Sequence, residues 1–154
     1  MDVCTVAELT ATSGRVLGVD FGDARTGLAL SDPSRILASG IGYISPGGIA
    51  KTADRVAEIA LEKGVSAIVV GLPRNMDGSE GPRAARCREF AELVAARLPS
   101  VRVAMIDERL TTVSATRYLN ETNTRGKARK TVIDTLSAQI FLQNALDLLR
   151  SRDC

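Results

Sequence analysis

Three acidic residues stand where a folded chain could bring their carboxylates together. Asp20 ends the apolar stretch VLGVD, Glu108 and its neighbour Asp107 end or follow the stretch VRVAMID, and Asp134 falls in the first turn of a predicted final helix. The chain contains no histidine, which excludes imidazole-activated serine or cysteine nucleophiles and HExxH zinc sites. Converging carboxylates instead favour a divalent-cation site that activates water toward a phosphodiester.

Each of these acids also has a purely structural interpretation. Asp134 follows Thr131 in a T-x-x-D pattern, which is typical of a capping box at a helix N-terminus. Asp20 precedes Gly22 and could form a turn, and Glu108 could be a solvated loop acid. Taken together, three acids expected at one edge of a fold without histidine favour the cation site.

Alternating strand and helix patterns position these acids. Apolar segments separated by turn residues predict an antiparallel meander, and two helix patterns then alternate with buried strands. The expected fold is α/β, a mixed five-stranded sheet of three antiparallel strands followed by βαβ units and flanked by helices. Asp20 and Glu108 then lie at the carboxyl ends of strands, on the edge where such folds bind ligands. The predicted strands are 16–20, 26–32, 35–44, 65–73 and 101–107, and the first two helices are 49–63 and 79–98.

The C-terminal part is predicted to hold a third helix at about 112–121, a mobile polar linker at 121–130 and a final helix at about 132–149. On the final helix Asp134 shares a face with Ala138, which must pack inward. The Asp134 side chain is therefore expected to point at the protein body.

The composition is that of one globular domain. The chain has 154 residues, of which 45% are hydrophobic, and no apolar run is long enough to span a membrane. We expect a flexible N-terminal extension at 1–15, without the pattern of a secretory signal, then a single domain at 16–150, with a cytoplasmic location by default. The odd, dispersed cysteines argue against a metal knuckle or disulfide framework. They are Cys4, Cys87 and Cys154.

Basic residues cluster although the net charge is only +2. A basic segment just before the Asp134 helix, called the arm, should lie close to the acids and attract nucleic acid. Aromatic residues make up only 3% of the chain, which favours recognition through phosphates and shape over base stacking. The arm contains Arg125, Lys127, Arg129 and Lys130, and a second cluster contains Arg83, Arg86 and Arg88.

Four blocks of sequence resemble the YqgF (RuvX) family: VDFGDARTGLALSD, GLPRNMDGSEGPRA, DERLTT and IDTLSAQIFLQ. The resemblance covers about 15–149, with the blocks in the family's order. It implies an RNase H-like fold and an endonuclease whose Mg²⁺ or Mn²⁺ site is carried by Asp20, Glu108 and Asp134.

The same resemblance implies how substrate is held. Arg25 and Arg109 match basic positions of the signature blocks and would contact substrate phosphate, and the arm at 125–130 matches the family's basic loop. The implied substrates are the end of precursor 16S ribosomal RNA, with ribosomal particles as partners, and Holliday junctions. Two-fold symmetric junctions would call for a homodimer, whereas trimming an RNA end needs one active site.

This chain departs from the better-known resolvase branch at two positions. That branch ends its fourth strand in a carboxylate and carries a pair of acids on its last helix. Here the fourth strand ends in Gly71-Leu72-Pro73, and Ser137 stands one turn after Asp134. These differences leave the number of ions and the preferred substrate open.

Two other functions compete with the nuclease. Asp20-Phe21-Gly22 also resembles the first phosphate loop of actin-like ATPases, but those enzymes enclose nucleotide between two domains and this chain has the length of one. The other alternative is a non-catalytic RNA- or ribosome-binding module in which the acids are structural.

Overall fold

A computed structural model describes residues 4–22, 24–45, 47–107 and 126–152. Six strands are described: β1 (Cys4–Thr5), β2 (Val16–Asp20), β3 (Thr26–Ser31), β4 (Ala38–Ile44), β5 (Ala67–Leu72) and β6 (Arg102–Asp107). The helices of the same residues are α1 (Ile49–Lys63), α2 (Pro82–Arg97) and α3 (Gly126–Arg152). The predicted helix at 112–121 lies outside the described residues.

The strands form one mixed sheet in the order β1-β6-β5-β2-β3-β4. The strands β2, β3 and β4 pair antiparallel, whereas β2, β5 and β6 pair in parallel through the crossover helices α1 and α2. This confirms the predicted meander followed by βαβ units. The structure adds β1, a two-residue strand parallel to β6 at the sheet edge.

One face of the sheet packs against α1 and α2 through large apolar side chains. Leu17 and Val19 point to this face from β2, and α1 presents a complementary apolar stripe before ending at Gly64 in a left-handed conformation (φ 64°). The ring of Phe21 stacks on Phe90 of α2, with centroids 4.4 Å apart. We call this side of the sheet the α1/α2 face.

On the opposite side, the α3 face, a row of small strand residues lies beneath the large apolar side chains of α3. Gly18, Ala29 and Gly40 are neighbours in one row across β2, β3 and β4. A Cβ atom on Gly18 would lie 2.9 Å from the Cβ of Leu142, and one on Gly40 would lie 2.6 Å from Cγ2 of Thr135. The row therefore lets α3 approach the sheet more closely than side chains would allow.

The N-terminal segment differs from the flexible extension predicted at 1–15. After β1, the stretch Val6–Ala11 forms a 3-10 helix, and Leu9 is fully buried among the apolar residues of the α3 face. Arg35, in a left-handed conformation (φ 59°), ties the segment to the sheet. Its guanidinium donates to the carbonyls of Leu9 and Gly14 and to the hydroxyls of Thr12 and Ser66.

The final helix begins earlier than predicted. It starts at Gly126, so residues 126–130 are helical and the prediction of a mobile linker is wrong for them. Lysine, alanine and arginine are good helix formers and extend the helix without an apolar face, the signal on which the boundary was predicted. Thr131 consequently lies inside the helix, and the capping-box interpretation of Asp134 is also wrong. Among the described residues, no helix is long and apolar enough to cross a membrane.

Candidate active site

Asp20 is the last residue of β2 and is partly buried at the carboxyl edge of the parallel strands. Side chains alternate along a strand, and Val16 packs among the residues of the α3 face. Gly18 lies against α3 as well, so the Asp20 side chain, two residues further, also projects to the α3 face.

The backbone of Asp134 lies level with Asp20. Helix α3 runs antiparallel to β4, because Thr135 donates to the Gly42 carbonyl at 3.3 Å whereas Gln139, one turn later, donates to Ala38 at 3.2 Å. Since β4 is antiparallel to β3 and β3 to β2, α3 is antiparallel to β2 as well.

The contact between Gly18 and α3 fixes this alignment. A Cβ on Gly18 would lie 3.2 Å from the Ala138 carbonyl oxygen. Measured from that contact, Asp20 lies two residues further along β2, about 6.6 Å away. Asp134 lies about one turn before Ala138 on α3, about 6 Å away. Because α3 and β2 are antiparallel, both displacements point toward the carboxyl edge. The structure describes the helix backbone at Asp134 but not its side chain.

The two adjacent acids after β6 are distinguished by strand alternation. Met105 packs against the α1/α2 face and Ile106 against the α3 face, so the side chain of Asp107 projects to the α1/α2 face, away from Asp20. Sequence reasoning left Asp107 open. Glu108 lies outside the described residues.

Two positions near this edge, one on β5 and one on α3, carry no carboxylate. Val19 pairs with Val70, which puts Gly71 beside Asp20 on the α3 face, so the neighbouring strand offers backbone only. Ser137 on α3 is 6% exposed and makes no hydrogen bond that the structure describes. A buried hydroxyl without a partner is unusual and calls for a ligand or water nearby.

The predicted basic residues are only partly described. Arg25 is half-buried, with its guanidinium carbon 5.9 Å from the centre of the Tyr43 ring, a cation–π distance. Lys127, Arg129 and Lys130 lie in the first turns of α3, beyond Asp134 in the direction of the carboxyl edge. Arg109 and Arg125 lie outside the described residues.

The loop between β5 and α2 forms one side of the same edge. The Asn75 N–H donates to the Ser79 carbonyl at 2.8 Å, and Asp77 accepts from the Ser79 N–H at 2.9 Å. Arg88 donates two hydrogen bonds to Glu80, at 2.6 and 2.7 Å, and thereby holds the pKa of the Glu80 carboxyl below its ordinary value of 4.5. The sequence patterns did not predict these bonds within the loop.

Within the described residues, no group of three or more acidic, cysteine or histidine side chains is close enough to hold a metal ion. Of the three predicted ligands only Asp20 has a described side chain. The structure therefore brings together Asp20 and the backbone of Asp134, and Glu108 stays a prediction.

Comparison with known proteins identifies the family. A sequence model of the RuvX family, described as Holliday junction resolvase, matches residues 14–148. The chain belongs to the RuvX family. Its relatives include a protein of Ruminiclostridium cellulolyticum, 42% identical over 134 residues, covering 86% of this chain and 94% of that one. A Paracoccus denitrificans relative is 42% identical over 149 residues, covering 97% and 94%; both relatives carry the name "Putative pre-16S rRNA nuclease".

Solved structures show the fold of this RuvX-family chain. Thermus thermophilus RuvC in complex with a Holliday junction substrate matches with a TM-score of 0.54 and 13% identity, over 91% of this chain and 96% of that one. Fowlpox virus resolvase, also bound to Holliday junction DNA, matches with a TM-score of 0.53 and 10% identity, over 90% and 98%. At these identities the likeness shows a common RNase H-like architecture.

Proposed function

We propose that this chain is a metal-dependent endonuclease that hydrolyses phosphodiester bonds of structured nucleic acid. The observation that carries the proposal is the alignment of Asp20 with Asp134 at the carboxyl edge, produced by the close packing of α3 on Gly18. The substrates are the end of precursor 16S ribosomal RNA, after which the relatives are named, and Holliday junctions, after which the family is described.

The residues present fit a hydrated Mg²⁺ or Mn²⁺ ion, held by Asp20, Glu108 and Asp134. Hard divalent cations prefer carboxylate oxygens, and the Ser137 hydroxyl, which has no partner among the described residues, offers a hydrogen bond to a water of the ion. Gly71 beside Asp20 leaves space where a side chain would otherwise stand. When bound, such an ion makes water more acidic and stabilises the leaving oxygen of a phosphodiester.

The alternation of β6 supports Glu108 over Asp107 as the third ligand. Since Ile106 projects to the α3 face and Asp107 to the other face, one further residue of extended chain would return to the side of Asp20. Asp107 thus supplies a matched control: a neighbouring carboxylate of the same charge on the opposite side of the sheet.

The basic residues hold the nucleic acid on this edge. Arg25 is oriented by the Tyr43 ring and contacts a substrate phosphate. The other positive charges collect the sugar–phosphate backbone around the acids, with counterion release as the driving force. These residues are Arg109, Arg125, Lys127, Arg129 and Lys130.

The test is a cleavage assay with paired variants. The substrates are a precursor 16S ribosomal RNA transcript and a synthetic four-way DNA junction, each with Mg²⁺, Mn²⁺ or EDTA. We expect Asp20→Asn to lower the cleavage rate at least about 100-fold, because it removes a metal ligand worth several kcal/mol in the transition state. Asp107→Asn should cleave as the wild type does, and Asp20→Asn should still bind both substrates.

Two outcomes would overturn this assignment. Cleavage by pure, folded Asp20→Asn at the wild-type rate would remove Asp20 from the site. Tight binding in EDTA, with no cleavage of either substrate under any metal, would favour the non-catalytic RNA- or ribosome-binding module instead.

A further inference from the structure

Two arginines of α2 lie at the same sheet edge as Asp20. Helix α2 begins at Pro82, directly after the loop that leaves the carboxyl end of β5, so its first two turns stand at that edge. Arg83 and Arg86 are exposed there and line a small cleft. The cleft is completed by Cys87 and by Phe21 and Gly22, the two residues that follow Asp20.

The arginines near this cleft differ in whether a carboxylate binds them. Glu80 accepts two hydrogen bonds from Arg88 and lies 3.6 Å from Arg74, so this carboxylate is engaged by the two arginines that face the loop. Arg83, by contrast, makes no hydrogen bond or ion pair that the structure describes. An exposed guanidinium without a carboxylate partner keeps its full charge and all five donors for a ligand.

We propose that Arg83 and Arg86 form a phosphate-binding site for the substrate strand on the α1/α2 side of the carboxyl edge. The proposal rests on the nuclease function proposed above. Asp20 projects to the α3 face, whereas Phe21, the next residue, packs on the α1/α2 face. A strand cleaved at Asp20 and held by these arginines therefore crosses the edge of the sheet between α3 and α2.

The chemistry favours the nucleic-acid backbone as the ligand. Guanidinium groups bind phosphate oxygens in bidentate fashion, and two of them spaced three residues apart on one helix face can contact successive parts of a strand. Phosphate contacts position the strand and carry no sequence information, so the site serves RNA and DNA alike.

The experiment measures binding in the Asp20→Asn background, which prevents cleavage. The probes are a fluorescent precursor 16S ribosomal RNA fragment and a fluorescent four-way DNA junction, titrated over a series of KCl concentrations. Replacing both arginines by glutamine should reduce the slope of log K against log[KCl] by about 2, roughly one unit for each lost phosphate contact. Replacing both by lysine should retain most of the slope.

Arg102→Gln is the matched control. Arg102 is an exposed arginine at the start of β6, on the opposite, amino-terminal edge of the sheet, and its loss should leave the slope unchanged. Unchanged thermal unfolding of every variant excludes a folding effect.

The outcomes separate this proposal from the one it rests on. If the Asp20→Asn parent binds both probes and the double glutamine variant binds with the same affinity and slope, the arginine site is wrong and the nuclease stands. An equal loss in Arg102→Gln would also overturn the site, since the effect would then be one of overall charge. If the parent binds neither probe, the nuclease proposal fails and the site fails with it.

Discussion

The two faces of the sheet are packed in different ways. On the α1/α2 face, large side chains such as Phe90 and Ile68 are fully buried and fill the space between sheet and helices. On the α3 face, the helix also buries large side chains such as Phe141 and Leu142, but Gly18, Ala29 and Gly40 of the strands bring it close to the sheet. Both arrangements give stability through buried apolar area. The second fixes the position of one helix, and that helix carries Asp134.

Stability and site geometry are therefore expected to respond to different substitutions in this fold. Loss of a large side chain on the α1/α2 face should leave a cavity without moving α3. Addition of one methyl group to the α3 face buries more apolar surface, yet it forces the helix away from the strand that ends in Asp20.

The largest effect on stability is expected on the α1/α2 face. Ile68→Ala should lower the free energy of unfolding by about 2–5 kcal/mol, because it leaves a cavity at a fully buried site. Ile68 pairs with Leu17, far along the strands from Asp20, so the folded variant should cleave at nearly the wild-type rate. Urea unfolding and cleavage at low temperature measure the two quantities. A folded variant without activity would show that the faces are coupled.

Gly18→Ala should affect cleavage more strongly than stability. The added methyl group would lie 2.9 Å from the Leu142 Cβ and 3.2 Å from the Ala138 carbonyl, so α3 must shift. We expect a loss of about 1–3 kcal/mol in stability from overpacking, with a larger proportional loss of cleavage than in Ile68→Ala. Gly47→Ala is the control, since its new Cβ would meet nothing closer than 3.6 Å. Full activity in folded Gly18→Ala would contradict the role given to the small-residue row.

A low pH should weaken the contacts that hold the C-terminal half of α3. The Asp32 carboxylate accepts backbone N–H groups of Leu37, Ile36 and Ser34, chiefly Leu37, and these bonds hold its pKa below the ordinary 3.8. The carbonyl of Ile36 in turn accepts hydrogen bonds from Gln143 and Arg150 of α3.

Because the folded state lowers this pKa, the carboxylate stabilises the fold above the ordinary value and loses that effect as pH falls through the folded value. The protection factors of the amides at 34–37, which are corrected for the intrinsic pH dependence of exchange, should fall below about pH 4 in the wild type. In Asp32→Asn the exchange should already be fast at neutral pH. Equal exchange in both proteins at neutral pH would exclude this anchoring.

The smallest expected effect is on nucleic-acid binding through Arg25. Tyr43→Leu removes the ring that orients its guanidinium, whereas Tyr43→Phe keeps a ring there. A cation–π contact at an exposed site is worth about 0.5–1 kcal/mol, so Tyr43→Leu should weaken nucleic-acid binding about two- to fivefold. Tyr43→Phe should bind as the wild type does, and fluorescence titration distinguishes the two. Equal weakening by both variants would assign the effect to the hydroxyl group instead.

Much of the fold could be predicted from the sequence, because the periodicities of strands and helices are local patterns. The meander, the two βαβ units and the carboxyl-edge position of Asp20 follow from such patterns, and the structure confirms them. The start of α3 was not accessible, since residues 126–130 form a helix by propensity without an apolar stripe. The buried Leu9 is also held by a hydrogen bond from Arg35 to its carbonyl, a contact between residues 26 positions apart that no local pattern encodes.

The site could be predicted only in part, because its geometry depends on contacts between distant segments. Strand order sets which acids share an edge, but the choice between Asp107 and Glu108 depends on which face each strand residue takes. That choice required the packing of Met105 and Ile106 on opposite faces. The engagement of Glu80 by two arginines, which leaves Arg83 available, is likewise a property of the folded loop.

The most direct test is a crystal structure of the wild-type protein soaked in Mn²⁺, with the ions located by anomalous scattering. We expect at least one ion within about 2.0–2.3 Å of a carboxylate oxygen of Asp20 and of Asp134, with Glu108 at the same site. A structure in which the carboxylates of Asp20 and Asp134 are ordered, point to different sides of the molecule and share no ion would contradict it.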